Sequence, residues 1–255
     1  MLQSQSGTSQ LESLFKTCGP IQSKLDIQNF MSTVMGNFQG VVQYNDDNRN
    51  EISRKYDITY ICNMMLNQSI DSLQALINVN NLFLTLNEQE CLDISYKDLV
   101  AVTGNSTIPN DDKSWTWQTC SEFGYFQTTD SPNQPFGDLV PLSFYTQLCQ
   151  DVFDTTPNSI SANINATNIN YGGKNIPANG PTNIMFINGD VDPWHALGIT
   201  QSISPSLPAI LIHGTAHCSN VYATSEDDLP SLVNARKQIE QQIGVWLAQN
   251  NNNMQ

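Results

Sequence analysis

Two short apolar runs in the second half of the chain constrain its fold more than any other feature. Asn183-Ile-Met-Phe-Ile-Asn188 leads straight into Gly189-Asp190-Val191-Asp192-Pro193-Trp194-His195, and Ala209-Ile-Leu-Ile212 leads into His213-Gly-Thr-Ala-His217-Cys218. Each run has strand length, is apolar inside, and stops at glycine or polar residues. That pattern predicts strands buried on both faces of a mostly parallel sheet, and so an α/β chain. In open sheets of this kind, chemistry collects in the loops at the carboxyl ends of the strands. Here an acid leaves one strand and a histidine leaves the other.

The chain holds three histidines, His195, His213 and His217. A catalytic triad needs an oriented acid, a histidine base and a nucleophile. Asp192 fits the first role: it follows a glycine turn, and Pro193 biases it towards extended backbone. Asp190 is its rival, and spacing alone does not choose between them. His217 sits where its ring reaches back to an acid one strand away, whereas His213, at the strand's own end, is expected to be packed. A turn acid with a satisfied core histidine would give the same pattern. A zinc site on His213 and His217, completed by Cys218 or Asp192, is disfavoured, because Gly214 opposes the helix that aligns histidines four apart. No metal and no cofactor are expected.

An α/β-hydrolase carries its serine in a G-x-S-x-G turn, with chain order serine, acid, histidine. Among 14 glycines only Gly36 and Gly40 have that spacing, and the residue between them is Phe38, in a predicted helix. The expectation is therefore that acid and base are present in the right order and that the serine precedes residue 1.

Upstream, the pattern from Ser9 to about Asn87 is helical. A short helix is expected over Ser9–Cys18. Ile27, Phe30, Met31, Val34, Met35, Phe38, Val41 and Val42 form one face of a second helix, with Asp26 as N-cap. Asn45–Asn50 reads as a polar turn, and Ile70 to Leu84 as a third helix opened by Ser69. Glu88–Asn110 is expected to be loop-rich. Trp115, Trp117 and Thr119 alternate as in a strand, Leu142–Phe153 reads as a helix, and Asn158–Pro181 as a surface connection. Ser225 is expected to cap a final helix whose face is Leu232, Ala235, Ile239, Ile243, Trp246 and Leu247, ahead of a disordered tail at Asn250–Asn253.

With 10 basic and 24 acidic residues the formal charge is −14, which makes nucleic acid and anionic membranes poor partners. No run approaches the ~20 apolar residues of a spanning helix. The first ten residues lack a signal-peptide pattern, yet sequons occur at Asn67, Asn105 and Asn165, and six scattered cysteines suggest disulfides. A missing N-terminal part reconciles these.

Asn188-Gly-Asp-Val-Asp-Pro-Trp194 followed by Gly198, and Gly214-Thr-Ala-His217-Cys-Ser-Asn, resemble the serine carboxypeptidase family of lysosomal Pro-Xaa carboxypeptidase, dipeptidyl peptidase II and thymus-specific serine protease. Trp117-Gln-Thr-Cys120-Ser-Glu-Phe-Gly-Tyr125 and Ala235-Arg236 match it too. The resemblance implies the C-terminal part of an α/β-hydrolase with an inserted helical cap, the cap at residues 1–88 and the hydrolase half at 89–255. It implies Asp192 as triad acid, His217 as base and Trp194 beside a pocket that favours proline next to the scissile bond. It implies the pairs Cys18–Cys91 and Cys120–Cys149, leaving Cys62 and Cys218 over. The implied function is a serine exopeptidase, carboxypeptidase or dipeptidyl-peptidase, with a peptide substrate, a homodimer as an open option, and a lysosomal or secreted location. The alternative is a non-catalytic binding or regulatory protein derived from such a peptidase. Without its serine the chain alone is expected to be inactive, since losing a triad serine removes roughly six orders of magnitude in turnover.

Overall fold

The computed structural model describes residues 2, 4–47, 51–105, 107, 110–177 and 180–252. Of the features expected above, parts of the turn at 45–50, of the sequon at 105–107, of the connection at 158–181 and of the tail at 250–253 lie outside the described residues. Among the described residues the architecture is mixed, with many helices and little sheet. Helices α1 (Gln5–Phe15), α2 (Lys24–Gln43), α3 (Glu51–Lys55), α4 (Ile58–Met65), α5 (Ser72–Leu86), α6 (Tyr96–Gly104) and α7 (Asp111–Gln118) come first. A π-helical turn (Thr119–Phe123), α8 (Leu142–Phe153) and α9 (Pro157–Tyr171) follow. Then come β1 (Phe186–Gly189), β2 (Ala209–Ile212) and α10 (Pro230–Asn252).

The chain divides into two compact units. One comprises residues 1–37 and 65–171, the other 38–64 and 172–255. The first is helical. Leu11, Phe15, Phe30, Val34, Ile77, Leu84, Leu92 and Ile94 form one core, and Met35, Tyr96, Val140, Phe144 and Leu148 another. Disulfides join Cys18 to Cys91 and Cys120 to Cys149, the pairs that the resemblance implies. The second lies between the π-helical turn and α8 and is fully buried, packed against Ile160 and Ile164 of α9.

Local chemistry explains where these helices depart from the sequence reading. Asp26 is not an N-cap. Its Oδ2 accepts from Ser23 N at 2.8 Å while Ser23 Oγ accepts from Asp26 N at 3.1 Å, so Ser23 starts α2 in a reciprocal box. Burial raises the Asp26 carboxyl, but hydrogen bonds from Tyr96 N and Ser23 outweigh it and hold it below the ordinary aspartate value. Asp71, not Ser69, caps α5. The expected strand at Trp115 is helix α7. Asn110 Oδ1 accepts from Lys113 N, and Asp111 and Asp112 occupy the first turn, where the helix dipole favours negative charge. That capping outweighs the strand preference of alternating tryptophans, and both rings are exposed.

Helix α6 fills much of the stretch expected to be loop, with Ser95 as cap. Helix α9 lies where a surface connection was expected. Ser159 Oγ accepts from Thr156 N and Thr156 Oγ1 from Ser159 N, with Pro157 at the first helical position.

In the second unit β1 and β2 pair in parallel, in the register Phe186 to Ala209 through Gly189 to Ile212. Expected strand and β2 coincide at Ala209–Ile212, while β1 begins three residues later than the apolar run and includes Gly189. Helix α10 packs Leu232 and Ala235 onto Ile212, with Ile187 and Ile210 alongside. It opens at Pro230; Ser225 instead accepts from Asp227 N in the preceding turn. It also runs through Asn252, into the asparagine run expected to be disordered.

Candidate active site

Both strands end at the same point of the second unit, and a glycine lets their loops meet there. A Cβ on Gly189 would lie 2.3 Å from Thr215 O and 2.9 Å from Ala216 O, so no other residue fits without moving backbone. Asp190 N donates to Ile212 O and Val191 N to Thr215 O, each at 3.1 Å, which extends the strand pairing into the loops. Gly214 turns the second loop with φ +79°, a conformation side chains resist.

Asp192 is buried and caps a short 3-10 helix, Pro193–Ala196, with Oδ1 accepting from Trp194 N at 2.9 Å. Its other oxygen, Oδ2, lies 2.8 Å from His217 Nδ1. One carboxylate thus has one oxygen fixed by backbone and the other aimed at an imidazole. His217 is braced by its own backbone, because its N–H donates to Gln43 O at 2.9 Å. Gln43, the last residue of α2, also accepts the Trp194 indole N–H at 2.8 Å through Oε1. The Tyr44 ring stands edge-on to His217 with centroids 5.8 Å apart. Beyond His217, Arg236 of α10 donates to Asp228, to Ser219 O and to Tyr222 O, tying down the returning loop.

Asp190 makes a second, separate pair. Its Oδ2 lies 2.5 Å from His213 Nδ1 and its Oδ1 accepts from Gly214 N at 2.7 Å. Burial raises this carboxyl, but the His213 hydrogen bond, the Gly214 N–H and the charge of His213 together hold it below the ordinary aspartate value. His213 is not packed as expected. Its ring is exposed and bonds to Asp190. His195 points Nδ1 at Asp192 O, 2.5 Å away. All three histidines therefore direct Nδ1 at an oxygen of Asp190 or Asp192. Each neutral ring so held carries its proton on Nδ1 and leaves Nε2 as an acceptor.

Chemically, a buried carboxylate fixed against one imidazole can orient that ring and stabilise its protonated form, as a hydrolytic base requires. His213 and His217 engage different carboxylates, which does not suit a shared metal ion, and among the described residues no group of three or more His, Cys, Asp or Glu is placed to hold one. No helix among the described residues is long and apolar enough to cross a membrane. Gln43 and Tyr44 were not anticipated. They lie far from the loops in sequence, and only the tertiary fold brings them to Trp194 and His217.

The family model for serine carboxypeptidase S28 matches residues 1–239. Thymus-specific serine protease from Mus musculus is 33% identical over 239 residues, which cover 90% of this chain and 45% of that protein. Its Homo sapiens counterpart is 31% identical over 246 residues, 93% of this chain and 46% of that protein. Lysosomal Pro-X carboxypeptidase from Mus musculus is 28% identical over 207 residues, 78% of this chain and 39% of that protein. The chain spans about half the length of the first of these relatives. It belongs to the serine carboxypeptidase S28 family.

Proposed function

We propose that this chain supplies the acid and the base of a serine exopeptidase, with Asp192 orienting His217 and the nucleophilic serine lying in a part of the protein outside these 255 residues. The observation that carries the reading is the Asp192 carboxylate, with Oδ1 fixed by Trp194 N and Oδ2 placed 2.8 Å from His217 Nδ1. In the reaction His217 Nε2 takes the serine proton as the hydroxyl attacks the peptide carbonyl. The same nitrogen then returns a proton to the leaving amine, while Asp192 stabilises the imidazolium. The fold would be the C-terminal part of an α/β-hydrolase, with residues 1–88 contributing a helical cap.

Trp194, held by Gln43, would border the pocket that receives the residue beside the scissile bond. The relative named for action on Pro-X bonds suggests proline there. Two disulfides fit an oxidising compartment, lysosomal or secreted, and Asn67, Asn105 and Asn165 are exposed, as glycan acceptors must be.

The test begins with the transcript. An in-frame G-x-S-x-G segment upstream supports the proposal, and an immediate in-frame stop with no such exon overturns it. In the full-length protein, peptides with proline next to either terminus should lose a single residue or a dipeptide. The product tells carboxypeptidase from dipeptidyl-peptidase action.

A further inference from the structure

The triad reading leaves Asp190 unused, although it makes more hydrogen bonds across the two loops than Asp192 does. Its carboxylate takes Gly214 N at 2.7 Å and His213 Nδ1 at 2.5 Å, and its own N–H donates to Ile212 O. Three consecutive residues at the end of β2 are therefore bound to one residue at the end of β1. The Gly214 turn leads directly to His217, while Asp192 lies two residues beyond Asp190. We propose that Asp190 is a positioning residue for His217: by gripping His213 and Gly214 it sets the second loop at the height where the His217 ring meets Asp192. This rests on the reading of His217 as the base.

The surroundings support that role. Besides Asp190, hydrogen bonds on this turn come from Ser231 Oγ, which donates to His213 O at 2.7 Å, from Thr215 Oγ1, which donates to Ile212 O at 3.0 Å, and from Val191 N, which donates to Thr215 O at 3.1 Å. Asp190 supplies the only charge among these contacts. It also reaches the backbone of the turn directly, through Gly214 N, so its effect does not depend on the exposed His213 ring alone. Its two carboxylate oxygens are taken up by His213 Nδ1 and Gly214 N, so its effect on His217 must appear in the ring's orientation.

The full-length protein, labelled with 15N-histidine, is examined by long-range 1H–15N correlation, and the rings of His195, His213 and His217 are assigned from their single His→Gln variants. The wild type should show His217 as the Nδ1–H tautomer when neutral, with that proton shifted downfield by Asp192. Asp190→Ala should lose the His217 signature, with the ring averaging between tautomers. Asp190→Asn, which keeps an oxygen for Gly214 N, should recover most of it. Far-UV circular dichroism unchanged between variants separates loss of position from loss of fold. A His217 signature intact in folded Asp190→Ala overturns the proposal and leaves the Asp192–His217 reading standing. A wild-type His217 without the signature overturns that reading, and this proposal with it. If Asp190→Ala does not fold, Asp190→Leu, which keeps bulk and removes both acceptor oxygens, takes its place: a lost His217 signature supports the grip, and an unchanged one overturns it.

Discussion

Two acid–histidine pairs leave the same ends of the same two strands, and they differ in almost nothing but their surroundings. Both bring Nδ1 to a carboxylate oxygen, at 2.8 Å for His217 and 2.5 Å for His213. In the inner pair the side chains are 28% and 10% exposed for His217 and Asp192; in the outer pair they are 91% and 29% for His213 and Asp190. Contact distance alone would rank the outer pair first. Burial and bracing reverse that order. Water screens an exposed pair and leaves it worth roughly 1 kcal/mol or less, whereas the inner imidazole is held at its backbone by Gln43 and flanked by Tyr44 and Trp194. The inner pair has the features of a reactive centre, and the outer pair those of a fastening.

The largest effect should separate the pairs in turnover. In the full-length protein Asp192→Asn should lower kcat by about four orders of magnitude, because the imidazole loses the acid that fixes its tautomer. Asp190→Asn should cost about tenfold or less, in keeping with a partly exposed contact. Comparable losses would collapse the distinction. Next in size is Gly189→Ala, which drives a methyl group into Thr215 and strikes both pairs at their shared origin. A loss of about 3 kcal/mol is expected in urea unfolding, and a loss near zero would mean that the loops are not in close contact.

How much of this could be read from the residues follows the same division. Strand β2 and helix α8 were legible to the residue, because each is a continuous apolar pattern with clear ends. Asp192 and His217 were legible as candidates, but choosing Asp192 over Asp190 needed the family resemblance, since spacing carries no information about burial. The exposed state of His213 was not legible either, for the same reason. Helices α6, α7 and α9 were missed because short side-chain caps, reciprocal only at α9, mark their starts more clearly than hydrophobic periodicity does. Gln43 was beyond reach: its bond to Trp194 spans 151 positions, and nothing local distinguishes that glutamine from its neighbours.

Smaller effects sharpen the comparison further. Gln43→Leu removes the acceptor of the Trp194 indole and should cost about 1–2 kcal/mol of stability. In the full-length enzyme KM should rise more than kcat falls, because the backbone bond to His217 remains. An equal fall in kcat would place Trp194 in the chemistry rather than in the pocket wall. The smallest effect concerns acid. Asp190 and Asp26 both have carboxyls held below their ordinary value. Each therefore contributes stability that is complete above the unfolded aspartate value of about 3.9 and is lost as pH falls through the lower folded value. Asp190→Asn should flatten part of that acid limb in a plot of Tm against pH. An unchanged limb would show that the outer pair carries no net electrostatic stabilisation.

The central claim is that His217, not His213, activates the serine. The most direct measurement is covalent labelling of the full-length protein with a fluorophosphonate. His217→Ala should abolish labelling, while His213→Ala should still label, though more slowly. Labelling that survives in His217→Ala, or disappears only in His213→Ala, would contradict the account.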